Sequence, residues 1–180
     1  MLVNILKLLY FMLPAYLANM APVLGKGTLK QLAVPIDAGK TWKGKPIFGK
    51  NKTWRGVVLA VILSTCVFLL QAYLYQFEAA RKISLIDYGT ATVWIGVLLG
   101  LGAIAGDSVE SFFKRRMNVK PGRPWRPFDQ IDFTIGALVL TSIVYFPGWM
   151  NSAIIILISA IGHVFFSHLG YYLKLKKDKW

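Results

Sequence analysis

The chain has 180 residues, of which 56% are hydrophobic and 16% charged, and a formal net charge of +13. Its mean hydropathy is +0.52. Charges confined to blocks between long apolar runs exclude an ordinary soluble domain and indicate an integral membrane protein. In such a protein the positive charge favours anionic lipids and phosphates as partners, and we expect no nucleic acid. The single cysteine, Cys66, excludes an intrachain disulfide.

Five apolar stretches predict an all-α, polytopic membrane protein with five transmembrane helices, since a hydrocarbon core is about 30 Å thick. The predicted spans of this single domain, 1–180, are at about residues 1–24, 54–76, 91–117, 133–146 and 152–173. The fourth is short for a full crossing unless it starts below the headgroups. We expect the first to be retained rather than cleaved, because Lys7 interrupts its apolar region and no A-x-A site precedes Pro22.

The distribution of Lys and Arg predicts the orientation. The first loop, residues 25–55, holds eight, residues 114–126 hold six and the tail after residue 173 holds four, so 18 of the 21 lie on one side. Positive residues concentrate in cytoplasmic loops. We therefore expect a multi-pass protein of the cell membrane with its N-terminus outside and its C-terminus in the cytoplasm.

The third predicted span is rich in glycine. Gly96, Gly100, Gly102 and Gly106 form overlapping small-xxx-small pairs. Such pairs let helix backbones approach closely inside membranes. We therefore predict that this span packs tightly against its neighbours, and we assign these glycines no chemistry.

Residues 106–133, GDSVESFFKRRMNVKPGRPWRPFDQIDF, lie between two apolar runs and hold half of the chain's eight acidic residues. These four are Asp107, Glu110, Asp129 and Asp132. If the first part is helical, Asp107 and Glu110 share one face with Ser111 and Lys114. Asp129 and Asp132 are three apart and face one point if their turn is helical. Two facing pairs of carboxylates can hold one or two hard cations, and Mg²⁺ often shares such a site with substrate phosphates.

A simpler interpretation is that these acids neutralise neighbouring Lys and Arg side chains as surface ion pairs. We favour the functional interpretation, because ionisable groups beside membrane spans are costly and usually functional. Pro121, Pro124 and Pro127 also predict a stiff connection that would fix the spacing of the acids.

Several spaced motifs together resemble a known family. The chain reads GDSVESFFKRR, then PG, then DQID, and residues 49–56 read GKNKTWRG. This pattern resembles the cytidylyltransferase signature of CDP-diacylglycerol synthases, and PGRPWRPFDQIDF is similar to the archaeal branch, the CDP-archaeol synthases. The resemblance implies Mg²⁺-dependent transfer of a cytidylyl group from CTP to 2,3-bis-O-geranylgeranylglycerol 1-phosphate, an isoprenoid ether lipid, with release of pyrophosphate. The partners would be CTP, this lipid and membrane lipids, at an active site facing the cytoplasm.

The resemblance, together with the spacing of the charged residues, predicts roles for individual residues. The expected catalytic residues are Asp107, Lys114, Arg115, Asp129 and Asp132, and the expected metal ligands are Asp107, Glu110, Asp129 and Asp132. The expected contacts to CTP and its phosphates are Lys50, Lys52, Thr53, Arg55, Ser111 and Arg123. The basic first loop would alternatively lie on the membrane surface without touching the nucleotide. Lys120-Pro121, Arg123, Pro124 and Gln130 depart from the bacterial-type signature, which favours the archaeal substrate.

Other functions remain as alternatives. A small transporter or channel would line its route with buried charges, but transport sites tend to lie at the membrane midplane. A CDP-diacylglycerol synthase acting on ester phosphatidate would use the same chemistry. A prenyltransferase or an alcohol phosphotransferase is disfavoured, because the chain has neither a DDxxD run nor a DG-x₂-AR run.

Overall fold

A computed structural model of the chain describes residues 2–25, 27–120, 123 and 125–172, and most of these residues are helical, as predicted. The helices of this described part are α1 (Leu2–Leu24), α2 (Trp54–Leu74), α3 (Glu78–Lys82), α4 (Trp94–Arg116), α5 (Asp132–Thr141) and α6 (Trp149–Tyr172). An antiparallel hairpin of two short strands, β1 (Thr41–Trp42) and β2 (Lys45–Pro46), departs from the all-α prediction. The basic tail and two of the three prolines, Pro121 and Pro124, fall outside the described residues.

Three of the described helices, α1, α2 and α4, are long and apolar enough to cross a membrane. They correspond to the first three predicted spans, although α4 begins later than residue 91. Just before this helix, Thr92 Oγ1 accepts the Trp94 N–H at 3.4 Å.

The helix in the fourth predicted span, α5, has only 10 residues. At 1.5 Å per residue it is about 15 Å long, half of the thickness of a membrane core. It ends where the Thr141 carbonyl accepts the N–H groups of both Val144 (3.0 Å) and Tyr145 (2.8 Å), which turns the chain out of the helix. The last helix, α6, has 24 residues.

Glycines on two faces of α4 let it contact two neighbours closely. Gly96 and Gly100 face α2, where an added Cβ would press on the side chains and backbone of that helix. Gly102 and Gly106 face Gly136 of α5, and a Cβ on any of these three would collide with the backbone of the other helix. The predicted close packing is confirmed. We call the contact of Gly102, Gly106 and Gly136 the glycine seam.

The glycine seam sets the start of α5 beside the middle of α4. A Cβ on Gly106 would strike the Asp132 carbonyl. Because Asp107 follows Gly106 directly, two acidic residues that are far apart in the chain are placed side by side.

The first loop is anchored where it meets α2. The Ile36 N–H donates to the Lys52 carbonyl (2.9 Å) and the Trp54 N–H donates to the Val34 carbonyl (3.0 Å). The chain entering α2 is thus paired with an earlier part of the same loop. The sequence gives little signal for this pairing, because neither of the two paired segments alternates apolar and polar residues as a half-buried strand does.

The hairpin of this loop docks on the end of α4. The Arg116 guanidinium donates to the carbonyls of Pro46 and Ile47 at 2.9 Å each, and Lys45 Nζ donates to the Arg116 carbonyl at 2.9 Å. The Trp42 ring stacks on Phe112, with centroids 5.4 Å apart. The loop therefore lies over the end of α4 that carries the acidic residues.

Replacing Gly136 with Ala tests the glycine seam. The added methyl would meet the backbone of α4, which cannot move as a flexible side chain does, so we expect a loss of about 1–3 kcal/mol of stability. Thermal unfolding in detergent would measure this. Gly162→Ala is the matched control, since that glycine also lies within a helix and has no atom within 4 Å of an added Cβ. Equal melting temperatures for the two variants would contradict the seam.

Candidate active site

A cavity of about 680 Å³ lies between the first loop, the end of α4 and the start of α5. Sites for small molecules typically measure about 300–1,000 Å³. The ionisable side chains that line it are Asp37, Lys50, Lys52, Asp107, Glu110, Lys114, Arg115, Arg123, Asp129, Asp132 and His163. Carboxylates and cations thus surround one space that is large enough for a nucleotide.

Three carboxylates converge in this cavity. Asp107 and Glu110 come from one face of α4, at the predicted spacing, and Asp132 comes from the first residue of α5. One oxygen from each lies within 4.8 Å of the other two. Carboxylate oxygens are the ligands that Mg²⁺ prefers, so the donor set fits a hard divalent cation. The structure brings together three of the four residues predicted to hold metal.

Two lysines neutralise these carboxylates. Lys52 Nζ from the first loop lies 2.5 Å from Asp107 Oδ2. Lys114 Nζ lies 2.8 Å from Glu110 Oε1, one helical turn away, and their side chains are 13% and 4% exposed. These contacts are ion pairs, but they are largely buried rather than on the surface, unlike the simpler interpretation of the sequence.

The fourth predicted carboxylate, Asp129, lies beside this group rather than in it. Its side chain pairs with Lys114 and accepts the Trp125 N–H at 2.6 Å. Burial acts to raise the pKa of the Asp129 carboxyl, but hydrogen bonds with Glu110, Lys114 and the Trp125 N–H outweigh burial and lower that pKa overall. Lys114 therefore joins Asp129 to the three-carboxylate group.

The residues predicted to contact CTP fall into two groups. Lys50, Lys52, Ser111 and Arg123 line the cavity, as does the predicted catalytic Arg115. Two others, at the start of α2, do not belong to the cavity lining. They are Thr53, whose Oγ1 accepts the Gly56 N–H (3.3 Å) as the helix N-cap, and Arg55, which donates to the Thr28 carbonyl (3.4 Å). For all six residues, contact with CTP stays a prediction.

The cavity residues that were not assigned to the site from the sequence include Asn19, Asp37 and His163. Asn19 and His163 lie in apolar spans, where a polar residue is itself a signal of function. Asp37 had a weaker signal, as the one acid in a loop with eight Lys and Arg residues. Spacing alone could not place them, because each comes from a different segment.

Comparison with known proteins identifies the family. A family model described as CarS-like, CDP-archaeol synthase, matches residues 1–180. The chain belongs to the CDP-archaeol synthase family. Its relatives include the CDP-archaeol synthase of Pyrococcus furiosus, 35% identical over 178 residues, with 98% of each chain covered. That of Methanocaldococcus jannaschii is 36% identical over 176 residues, with 96% of this chain and 95% of the relative covered.

A solved structure is also similar, with a TM-score of 0.71 and 26% identity over 89% of this chain and 92% of that one. It is described as an intramembrane enzyme for archaeal membrane lipid biosynthesis. The resemblance read from the sequence is therefore confirmed. As a CDP-archaeol synthase family member, the chain is a cytidylyltransferase of membrane lipid biosynthesis, and a transporter or channel is not favoured.

Replacing Lys114 with Met tests the charge balance of the site. Glu110 and Asp129 would lose their shared cation in a largely buried place, so we expect a loss on the order of 3 kcal/mol in stability. Lys82→Met is the matched control, since its pair with Glu78 spans 2.8 Å but both side chains are more than 70% exposed. Thermal unfolding in detergent would compare the two. Adding Glu110→Gln to Lys114→Met should restore part of the loss, and no restoration would contradict a charge origin.

Proposed function

We propose that the chain transfers the cytidylyl group of CTP to 2,3-bis-O-geranylgeranylglycerol 1-phosphate and forms unsaturated CDP-archaeol. The observation that carries this proposal is the convergence of three carboxylates in a cation-lined cavity, in a chain of the CDP-archaeol synthase family. The names of the curated relatives support the archaeal product.

The reaction needs positioning more than proton transfer. An oxygen of the lipid phosphate attacks the α-phosphorus of CTP, the new P–O bond forms, and the bond to pyrophosphate breaks. The attacking oxygen is already anionic at neutral pH, so no general base is required. The remaining tasks are to hold two anionic groups together and to stabilise charge on the leaving pyrophosphate.

The cavity residues are suited to these tasks. Lys50, Arg115 and Arg123 place positive charge around the cavity, and we propose that they and Lys52 bind the triphosphate. Mg²⁺ bound by Asp107, Glu110 and Asp132 would supply further neutralisation of phosphate charge. Lys52 and Lys114 keep these carboxylates close to one another against their mutual repulsion.

We further propose five crossings of the membrane, with the N-terminus outside and the cavity facing the cytoplasm. The packing supports this topology, because the basic first loop and the basic end of α4 contact each other through Arg116 and Lys45. His163 of α6 lines the same cavity, so α6 runs towards the same end. The first loop and the basic end of α4 would therefore share the cytoplasmic side, where nucleotides are available.

The depth of the site suits a lipid acceptor. Asp107 precedes the last residue of α4 by nine positions, which is about 14 Å along a helix. The carboxylates thus lie below the end of α4, where a lipid phosphate can reach them while its chains stay in the hydrocarbon core.

Replacing Asp132 with Asn tests the function. Purified wild-type protein should form labelled CDP-lipid from radiolabelled CTP and the isoprenoid phosphate in Mg²⁺. We expect Asp132→Asn to lose at least about 100-fold in kcat/KM, since one charged ligand of a three-carboxylate group is gone. Asp87→Asn, in the connection between α3 and α4, is the control and should remain active. Wild-type protein that forms no product, or that prefers ester phosphatidate, would refute the proposed substrate.

Cysteine labelling tests the topology. In a Cys66→Ser background, Lys43→Cys lies on the hairpin and Thr90→Cys lies in the connection between α3 and α4; both positions are exposed. In intact cells a membrane-impermeant maleimide should label Thr90→Cys and should reach Lys43→Cys only after the cells are permeabilised. The reverse pattern would invert the proposed orientation.

A further inference from the structure

Asp37 is a carboxylate of the cavity wall that belongs to none of the groups described above. It is 7% exposed and is the one acidic residue among the 31 of the first loop. Its oxygens do not join the three-carboxylate group of the described residues. They accept three backbone hydrogen bonds instead. Oδ1 accepts the Gly39 N–H (3.0 Å), and Oδ2 accepts the N–H groups of Phe48 (2.9 Å) and Gly49 (3.0 Å).

These bonds connect two separate parts of the loop. Gly39 belongs to the turn before the hairpin, while Phe48 and Gly49 follow the hairpin and lead to the lysines of the cavity. Gly49 turns the chain with a φ of 97°, a conformation that suits glycine. At this bend the Asp37 carboxylate, rather than a backbone carbonyl of a neighbouring strand, accepts the backbone N–H groups.

The segment that carries Lys50 and Lys52 is consequently anchored at both ends. Asp37 holds its start through the Gly49 N–H, and the Ile36 N–H holds its end through the Lys52 carbonyl (2.9 Å). From the Gly49 N–H to the Lys52 carbonyl the chain is only four residues long, which leaves little freedom. The placement of Lys52 Nζ against Asp107 depends on this short arc.

Backbone N–H groups stabilise the negative charge of Asp37. Burial acts to raise the pKa of the Asp37 carboxyl, but the hydrogen bonds from Gly49, Phe48 and Gly39 outweigh burial and hold that pKa below its usual range. The side chain is thus ionised at neutral pH, and its hydrogen bonds direct it towards the loop. A role in orienting the loop fits these contacts better than a role as metal ligand or base.

We propose that Asp37 is a positioning residue for the triphosphate of CTP, acting through the Phe48 and Gly49 backbone on Lys50 and Lys52. This inference rests on the proposed function, in which those two lysines bind the triphosphate. A loop that is fixed before CTP arrives spends less binding energy on ordering, so the carboxylate should influence CTP affinity first. The lipid substrate should be bound as before.

Asp37→Asn is the most informative substitution because it keeps the shape of the side chain. An amide has one acceptor oxygen, and its nitrogen presents hydrogens to the remaining N–H donors. We expect the KM for CTP to rise about tenfold, with kcat within about threefold of wild type and the KM for the lipid unchanged. The CTP dissociation constant, measured by calorimetry on the same proteins, should rise by the same factor.

A double-mutant cycle separates positioning from general support of the fold. If Asp37 acts through Lys52, Asp37→Asn in a Lys52→Ala background should change the KM for CTP by no more than about threefold. A merely structural role would instead lower the melting temperature and kcat, leave the KM for CTP unchanged, and have the same effect in both backgrounds. An unchanged KM for CTP, or the same effect on that KM in both backgrounds, would overturn the inference.

Asp87→Asn is the matched control for Asp37→Asn. Asp87 Oδ1 accepts the Gly89 N–H at 2.8 Å in a similar turn, but it lies in the connection between α3 and α4, away from the cavity. Its kinetic constants should stay within about twofold of wild type, and a matching rise in the KM for CTP would count against a specific role of Asp37.

If Asp37→Asn fails to fold, a second variant tests the same connection between the Gly49 backbone and the two lysines. Gly49→Ala strains the turn at a φ of 97° without filling occupied space. It should also raise the KM and the dissociation constant for CTP, and an unchanged affinity would overturn the inference. Wild-type protein that binds CTP but forms no CDP-lipid would refute the proposed function alone, because the comparison of dissociation constants still tests Asp37.

Discussion

The glycine seam between α4 and α5 is the constraint on which the site depends. Gly102, Gly106 and Gly136 let two helix backbones touch where any side chain would collide. Only at this distance does Asp132, at the start of α5, reach Asp107 and Glu110 on α4. The smallest residues in the span therefore determine the position of its most polar ones. Inside a membrane, where apolar side chains gain nothing by leaving lipid, such close contact is also what holds the helices together.

Convergent carboxylates create an electrostatic problem that the rest of the fold solves. Three carboxyl groups with oxygens within 4.8 Å of one another would repel strongly if all were ionised, unless cations lay beside them. Lys114 comes from the same helix as Glu110, but Lys52 comes from the first loop. The loop is thus part of the charge balance, and its hairpin and its anchoring by Asp37 matter for the site although they lie outside the membrane helices.

Helical periodicity is the reason that part of the site could be predicted. Asp107, Glu110 and Lys114 lie on one face of α4, and their placement needs only a helix, which an apolar run with this spacing indicates. The three long spans follow from length and hydropathy in the same way.

Features that depend on contacts between distant segments could not be predicted in this way. Asp129 and Asp132 have the same spacing as a pair on one helix, yet a separate 3-10 turn precedes α5, and Asp129 pairs with Lys114 instead. The hairpin and the role of Asp37 involve backbone groups, which every residue possesses and no sequence motif marks. The family resemblance supplied the chemistry, but it did not supply these contacts.

For the proposed reaction, the short α5 offers a way for a water-soluble nucleotide and a lipid to meet in one place. A helix long enough to span a membrane could start about 15 Å further along its axis, whereas α5 starts within the bundle at the level of Gly106. The first loop and the end of α4 border the cavity beside its start. In the proposed orientation, charged residues from both would extend the aqueous side inward, while apolar helix surfaces would remain available to lipid chains. The half-length helix and the folded basic loop are therefore two parts of one arrangement, since neither alone would give a polar site at this depth.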